Sequence, residues 1–344
     1  MKKWMAITLL LCLFFGLGAC GAAPPPHSTG QIYLVGEAHG EPHILQRELE
    51  LWVDYYHNQG LRHLFIEQDY YIGEYLNLWM KADNDDILND LFTAWTGTVY
   101  EDNPHVWDFF QRIKADCPET VFHGTDIGLR HTYAGPRYLA HLLENGLRDS
   151  EQYRLTIQCL DQGTAYRNRG DTYRENTMTE NFIRAFDALE GESIMGIYGA
   201  AHTGLDNLAF YGEVDCMGTR LVEIYGDAVH SEDLSVLPIR IDTITVAGKE
   251  YQASYYGKII GGSWNADITA VESWRLEGAY DDFKDIPKAP SYTTESAIKV
   301  AVESGQVFVI DLTLEDGTVE RRFGRTDGSM EDDGTQIIHF FDPN

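Results

Sequence analysis

The chain is poor in cysteine, poor in positive charge and, beyond its first twenty residues, without a long apolar run. Of its five cysteines, Cys12 and Cys20 fall in those first twenty residues, which leaves Cys117, Cys159 and Cys216, an odd number with no Cys-x-x-Cys spacing. A disulfide framework is thereby excluded, at most one bridge can form within the chain, and stability is left to an ordinary core. Lysine and arginine number 26 against 54 aspartates and glutamates, a formal net charge of −28. Such a surface repels phosphate backbones and excludes nucleic acid as a partner, while it attracts metal cations and cationic ligands. It also keeps an exported protein soluble without any ligand. No internal repeat is present, and 44% hydrophobic residues over 344 positions supply one large domain and a small one.

The start of the chain is different in kind. Met1-Lys2-Lys3 is basic, and Trp4 to Phe15 is an uncharged apolar stretch too short to span a bilayer as a stable helix. Residues 1–19 therefore read as a secretory signal. Leu17-Gly18-Ala19-Cys20 resembles the bacterial lipobox, which implies lipidation of Cys20; acyl chains, each stabilised by about 0.8 kcal/mol per buried CH₂, then hold the protein at a membrane. Residues 20–30, with Pro24-Pro25-Pro26, form an extended tether. The expected location is the cell envelope, anchored on the outer face of a bacterial membrane.

From Ile32 to about Ile224, short β-rich runs alternate with longer helical segments. That is the pattern of an α/β domain, a mostly parallel central sheet with helices on both faces. The runs are Ile32 to Val35, His63 to Ile66, Thr120 to His123, Ser193 to Tyr198 and Arg220 to Tyr225. Pro42, Leu45, Leu49, Trp52, Val53 and Tyr56 mark a helix ended by Gly60, and Met178, Phe182, Ala185, Phe186 and Leu189 mark a second from about Tyr173 to Leu189. After about Ser235 the texture turns to hairpins: Ile239 to Ile244 with Tyr251 to Ile260, then Val307 to Thr313 with Val319 to Arg325 around Glu315-Asp316-Gly317. Gln336 to Phe341 reads as an added edge strand. The expected division is an α/β domain over 31–236 and a small β-rich, α+β domain over 237–344.

One pattern occurs twice: Gly36-Glu37-Ala38-His39 and Gly199-Ala200-Ala201-His202, each directly after an apolar strand. In an open α/β sheet the strand ends are where ligands bind. Other strand ends deliver Glu67, in Phe65-Ile66-Glu67, and Asp126, in His123-Gly124-Thr125-Asp126, while Arg174 and Asn181 flank the stripe of the second helix. A carboxylate ending an apolar run is costly to bury alone, so convergence of these groups would satisfy them together. Two histidines and a carboxylate, His39, His202 and Glu67, can hold a divalent metal such as zinc or manganese and activate its water. The same groups can move protons without a metal, and the spacing leaves both open. His43, four residues past His39, is placed for the same cleft. His57, His63, His105, His131, His141, His230 and His339 lack such placement and read as surface or core residues.

Val35-Gly36-Glu37-Ala38-His39-Gly40 with His43, Phe65-Ile66-Glu67, Arg174-Glu175-Asn176-Thr177-Met178-Thr179-Glu180-Asn181 and Gly199-Ala200-Ala201-His202 together resemble the superfamily of erythromycin esterases, ChaN-like haem-binding lipoproteins and TraB/Tiki metalloproteases. The resemblance covers about 31 to 225 and leaves out the C-terminal region. It implies His39 as the essential histidine, Glu37 and Glu67 as its acidic partners, and His202 as a second catalytic or metal-binding histidine; His43, Asp126 and Asn181 are candidate cofactor-binding groups by their own placement. Erythromycin esterases space their first pair E-x-x-H, whereas here it is Glu37-Ala38-His39, so macrolide esterase activity is not implied. The expectation is a surface-anchored hydrolase of a small-molecule or peptide ester or amide, metal-assisted, with Arg174 on an anionic or carbonyl group. The alternatives are a haem- or iron-binding lipoprotein, with Tyr70 and Tyr71 as candidate iron ligands, and an envelope interaction module whose site has decayed.

Overall fold

Ile32 and Leu34 pack into one hydrophobic cluster and Val35 into another, as alternation along a strand buried on both faces requires. The computed structural model describes residues 30–129, 132–209, 214–260, 267–300, 302–332 and 334–343. The secretory signal, Cys20, all but the end of the tether, and His131 lie outside the described residues. Five strands, β1 (Ile32–Glu37), β2 (His63–Asp69), β3 (Val121–Asp126), β4 (Ile194–Gly199) and β5 (Val229–Asp233), form a parallel sheet in the order β3-β2-β4-β1-β5.

Helices cover both faces. On one side lie α1 (Pro42–Asp54), α2 (Tyr70–Met80), α3 (Asp86–Ala94) and α4 (Pro104–Asp116), which contribute Leu45, Trp52, Leu76, Leu88 and Phe110 to a shared core. They are followed by α5 (Ala134–Glu144), α6 (Glu151–Asp187) and α7 (Met217–Tyr225); Met178, Phe182 and Phe186 of α6 and Met217 and Leu221 of α7 build the core on the opposite face. The helix expected from Tyr173 is the second half of α6, which bends at Gly170, where φ is 69°. A positive φ costs glycine little, so the bend falls there.

The expected fifth strand, Arg220 to Tyr225, is instead the end of α7. Met217, Gly218 and Leu221 are buried at helical spacing, and Gly226 ends the helix with a φ of 58°. An apolar run this short fits either period, and packing decided for the helix. The fifth strand follows it, with Val229 opposite Ile32.

The C-terminal region is a seven-stranded antiparallel sheet. Its strands are β6 (Arg240–Val246), β7 (Lys249–Ile260), β8 (Ile268–Leu276), β9 (Lys288–Thr294), β10 (Val307–Leu314), β11 (Val319–Arg325) and β12 (Ile337–Phe341), in the order β6-β7-β8-β10-β11-β12-β9. Both expected hairpins are present. Ala247 and Gly248 close the first with φ of 48° and 80°, the two positive values of a type I′ turn. β12 is not an edge strand, because β9 pairs along its outer side. Val307 and Val309 face one cluster and Phe308 and Ile310 another, so the first half of β10 is apolar on both faces. Cys117, Cys159 and Cys216 are buried free thiols, and among the described residues no helix is long and apolar enough to cross a membrane.

Candidate active site

β1 and β4 are neighbours, with Glu37 opposite Gly199. The chain leaving β1 enters α1 on one face of the sheet, and the chain leaving β4 reaches α7 on the other. Diverging connections open a crevice at the strand ends, the place where open α/β sheets bind ligands. His39 and His202 flank it. A Cβ at Gly199 would stand 3.3 Å from both the His39 ring and Glu67 Oε2, so a side chain there would displace these groups by a few tenths of an ångström.

Each histidine is braced by its own carboxylate. His39 Nδ1 donates to Glu37 Oε1 at 2.7 Å, and Tyr100 Oη donates to the same oxygen at 3.3 Å while lying 3.2 Å from His39 Nδ1. His202 Nδ1 donates to Glu175 Oε2 at 2.6 Å, and Glu175 Oε1 accepts the Met217 N–H at 2.7 Å. Glu175 thus satisfies a free donor at the start of α7 while holding the imidazole. The two Nε2 atoms turn toward Glu67: His202 Nε2 is 3.5 Å from Oε1 and His39 Nε2 is 3.9 Å from Oε2.

Glu67 is the centre of the charge network. Its Oε2 accepts the Gly199 N–H at 2.6 Å and its Oε1 accepts Arg174 Nη2 at 2.5 Å. Arg174 also grips Asp126, with Nε at 3.1 Å from Oδ1 and Nη2 at 2.6 Å from Oδ2. Burial alone would raise the Glu67 carboxyl, but the hydrogen bond from His202 and the charges of His202, Arg174 and His39 hold it well below the ordinary carboxylate range. Burial alone would lower His39, yet the hydrogen bond and charge of Glu37 and the charge of Glu67 raise it to about 9. His202 is pushed the same way against burial, to about 10, by Glu175 and Glu67. Asp126 and Glu67 keep Arg174 protonated despite its burial.

Two cavities meet at this cluster. One of about 380 Å³ is lined by Asp171, Thr172, Ala200 and Ala201, the other of about 400 Å³ by Gln68, Trp95, Thr98 and Tyr100; His39, Glu67 and Arg174 line both. Glu37, His39, Glu67, Asp126, Arg174 and His202 are therefore brought together.

His43 and Asn181 are not. His43 Nε2 bonds the Leu237 carbonyl at 3.2 Å, because the first turn of α1 aims it at the chain leading to β6. Asn181 exchanges hydrogen bonds of 3.1 and 3.0 Å with Gln162, tying together the two halves of the bent α6. Tyr70 and Tyr71 line neither cavity, and Tyr71 lies against Gly135 in the helical layer. Sequence reasoning missed Glu175, Tyr100 and Glu48. Glu175 stands beside Arg174 in a motif already singled out, Glu48 interrupts the apolar stripe of α1, and Tyr100, between two helices, carries no sequence signal. Among the described residues no group of three His, Cys, Asp or Glu side chains is disposed to hold a metal ion.

No family model and no curated protein matches the chain. Among solved structures it is similar to a Bacillus cereus protein at 13% identity, over 72% of this chain and 77% of that one, with a TM-score of 0.43. A succinoglycan biosynthesis protein matches at 15% identity over 65% and 70%, with a TM-score of 0.44. The erythromycin esterase EreC, a mutant in its open conformation, matches at 12% identity over 65% and 76%, with a TM-score of 0.43.

Proposed function

We propose that the chain is an envelope-anchored hydrolase of ester or amide bonds in which two histidines divide the proton work. The observation that carries this reading is the convergence of two carboxylate-braced imidazoles on Glu67 where two cavities join. His39 is the more accessible, its side chain 38% exposed against 13% for His202, and its Nε2 is too far from Glu67 for a hydrogen bond. His39 is therefore the base that takes a proton from water, and Glu37 stabilises the imidazolium that forms. His202, held by Glu175, stays protonated and donates to the oxygen that gains charge as the carbonyl is attacked. Arg174 spends Nε and Nη2 on Asp126 and Glu67, which leaves Nη1 as the donor for a substrate oxygen.

This reading needs no metal. Arg174 already supplies the cation between Glu67 and Asp126. The rivals are a divalent ion on His39, His202 and Glu67, and haem. They separate in one preparation of the full chain, assayed for bound metal, titrated with haemin, and screened against p-nitrophenyl esters and peptides with and without chelator. We expect chelator-insensitive hydrolysis that falls about 10²- to 10⁴-fold in His39→Ala. The corresponding kcat/KM should rise with pH through about 9, as His39 becomes a base, and fall through about 10, as His202 ceases to be an acid. Stoichiometric zinc or manganese lost in both His39→Ala and His202→Ala would replace this reading with the metal one. A haemin absorbance shift lost in His39→Ala, with no hydrolysis of any substrate, would replace it with the haem one.

A further inference from the structure

Glu48 takes no part in that chemistry, and its surroundings are those of a core residue. It sits on the buried stripe of α1 between Leu45 and Trp52, is 1% exposed, and its Oε1 has no hydrogen-bond partner among the described residues. A cavity of about 40 Å³ lies beside it, walled by Leu45, Ile66, Phe109, Phe110 and Ile197 and reaching Glu37 and Tyr100. That volume is too small for a substrate group, so whatever Glu48 does is done through a neighbour. The neighbour is Glu37, which lines the same small cavity and whose charge, after burial, raises the Glu48 carboxyl.

Two carboxyls placed this way in apolar surroundings cannot both be ionised; one proton lies between them. We propose that Glu48 is a positioning residue, donating its carboxyl proton to Glu37 and so fixing the carboxylate that orients His39. Three contacts then hold Glu37, namely Glu48, the Tyr100 hydroxyl at 3.3 Å and His39 Nδ1 at 2.7 Å. Glu37 already accepts from His39 and Tyr100 whereas Glu48 Oε1 has no donor among the described residues, so the shared proton belongs on Glu48, and burial and then the charge of Glu37 push its carboxyl the same way. A neutral acid is also the form that an apolar cavity tolerates at least cost.

The kinetic consequence rests on the hydrolase reading, but the placement of Glu37 does not, so the test has two arms. In the first, the His39 Nδ1 proton is observed by NMR in the full chain, with Glu37→Gln identifying its downfield resonance. Glu48→Gln, which keeps a donor of the same shape, should retain that resonance. Glu48→Leu and Glu48→Met, which keep the volume without the donor, should lose it or exchange it at least tenfold faster, the scale expected for one lost charge-assisted hydrogen bond. In the second arm, with the best p-nitrophenyl ester, the two donorless variants should lower kcat about tenfold at unchanged KM while Glu48→Gln stays near wild type. The proposal is overturned if the resonance survives unchanged in either donorless variant that folds, or if a folded Glu48→Gln loses it as they do. Absence of turnover in wild type would sink the hydrolase reading and leave the NMR result to decide the role of Glu48.

Discussion

Strand β2 starts at His63 and runs out past Glu67, and its two ends hold histidines in opposite states. At the start, His63 and His123 share a hydrogen bond of 2.9 Å and Phe65 stacks on the His123 ring. Burial lowers both, and His123, with the His63 charge beside it, falls to about 3. At the far end burial acts in the same direction, yet His39 and His202 rise to about 9 and about 10. The difference is the supply of carboxylates: Glu37, Glu67 and Glu175 bond or face the second pair, whereas among the described residues Glu192 alone raises His63 and no carboxylate raises His123. Depth alone makes a neutral core histidine. A carboxylate at each Nδ1 makes a histidine that holds its proton.

The largest disturbance of this contrast is expected from Arg174→Met, which leaves Glu67 and Asp126 buried beside each other without their shared cation. Removing one partner of a buried ion pair costs roughly 3–5 kcal/mol. A urea unfolding midpoint at neutral pH measures it, and a loss under about 1 kcal/mol would show that the carboxylates find other compensation. The same variant should lose hydrolysis entirely, whereas a substitution at His123 should not touch it.

The next effect separates the two ends by pH. His39 and His202 have folded values above the ordinary 6.5 of histidine, so the folded chain keeps protons that the unfolded chain has released. Their contribution is complete below about 6.5 and is lost as pH rises through about 9 and 10. His123 is the reverse: its folded value of about 3 lies below 6.5, so its contribution is complete above 6.5 and is lost as pH falls toward 3. Urea midpoints measured across pH should therefore lose part of their alkaline decline in His202→Gln and part of their acid decline in His123→Phe. If both variants flatten the same limb, the assignment of states to the two ends is wrong.

How much of this was legible before the fold was known depended on distance along the chain. Strands β1, β2 and β4 and the helix α1 announce themselves through apolar runs bounded by glycine or proline, and the twin Gly-x-x-His pattern located the crevice because strand ends are local features. Arg220 to Tyr225 was misread because its apolar residues suit both periods, and only burial of Met217 and Leu221 against the sheet selected the helix. Glu37, Glu67, Asp126 and Arg174 were readable as groups needing partners, but who pairs with whom was not: Arg174 reaches Glu67 across 107 positions. Glu48 was readable in principle, as a carboxyl three residues after Leu45 and four before Trp52 on one helical face. Tyr100 was not, since its place depends on how the loop between α3 and α4 folds back over Glu37.

The smallest expected effect concerns the histidine that lies near His39 in sequence but serves neither end of the sheet. His43 Nε2 accepts or donates nothing in the cleft; it bonds the Leu237 carbonyl, and two positions before it Glu41 meets Lys299 of the C-terminal region at 3.5 Å. Both contacts join the start of α1 to segments outside the strands of the C-terminal region, so His43 acts on the seam between the two parts. His43→Ala should cost about 0.5–1.5 kcal/mol, the worth of one hydrogen bond, with kcat/KM for a p-nitrophenyl ester changed less than about twofold. A fall in kcat/KM as large as that of His39→Ala, without loss of stability, would place His43 in the cleft after all and move the boundary of the site toward the C-terminal region. A fall in stability alone would confine proton chemistry to the imidazoles that have a carboxylate at Nδ1, which is the rule that separates the two ends of β2.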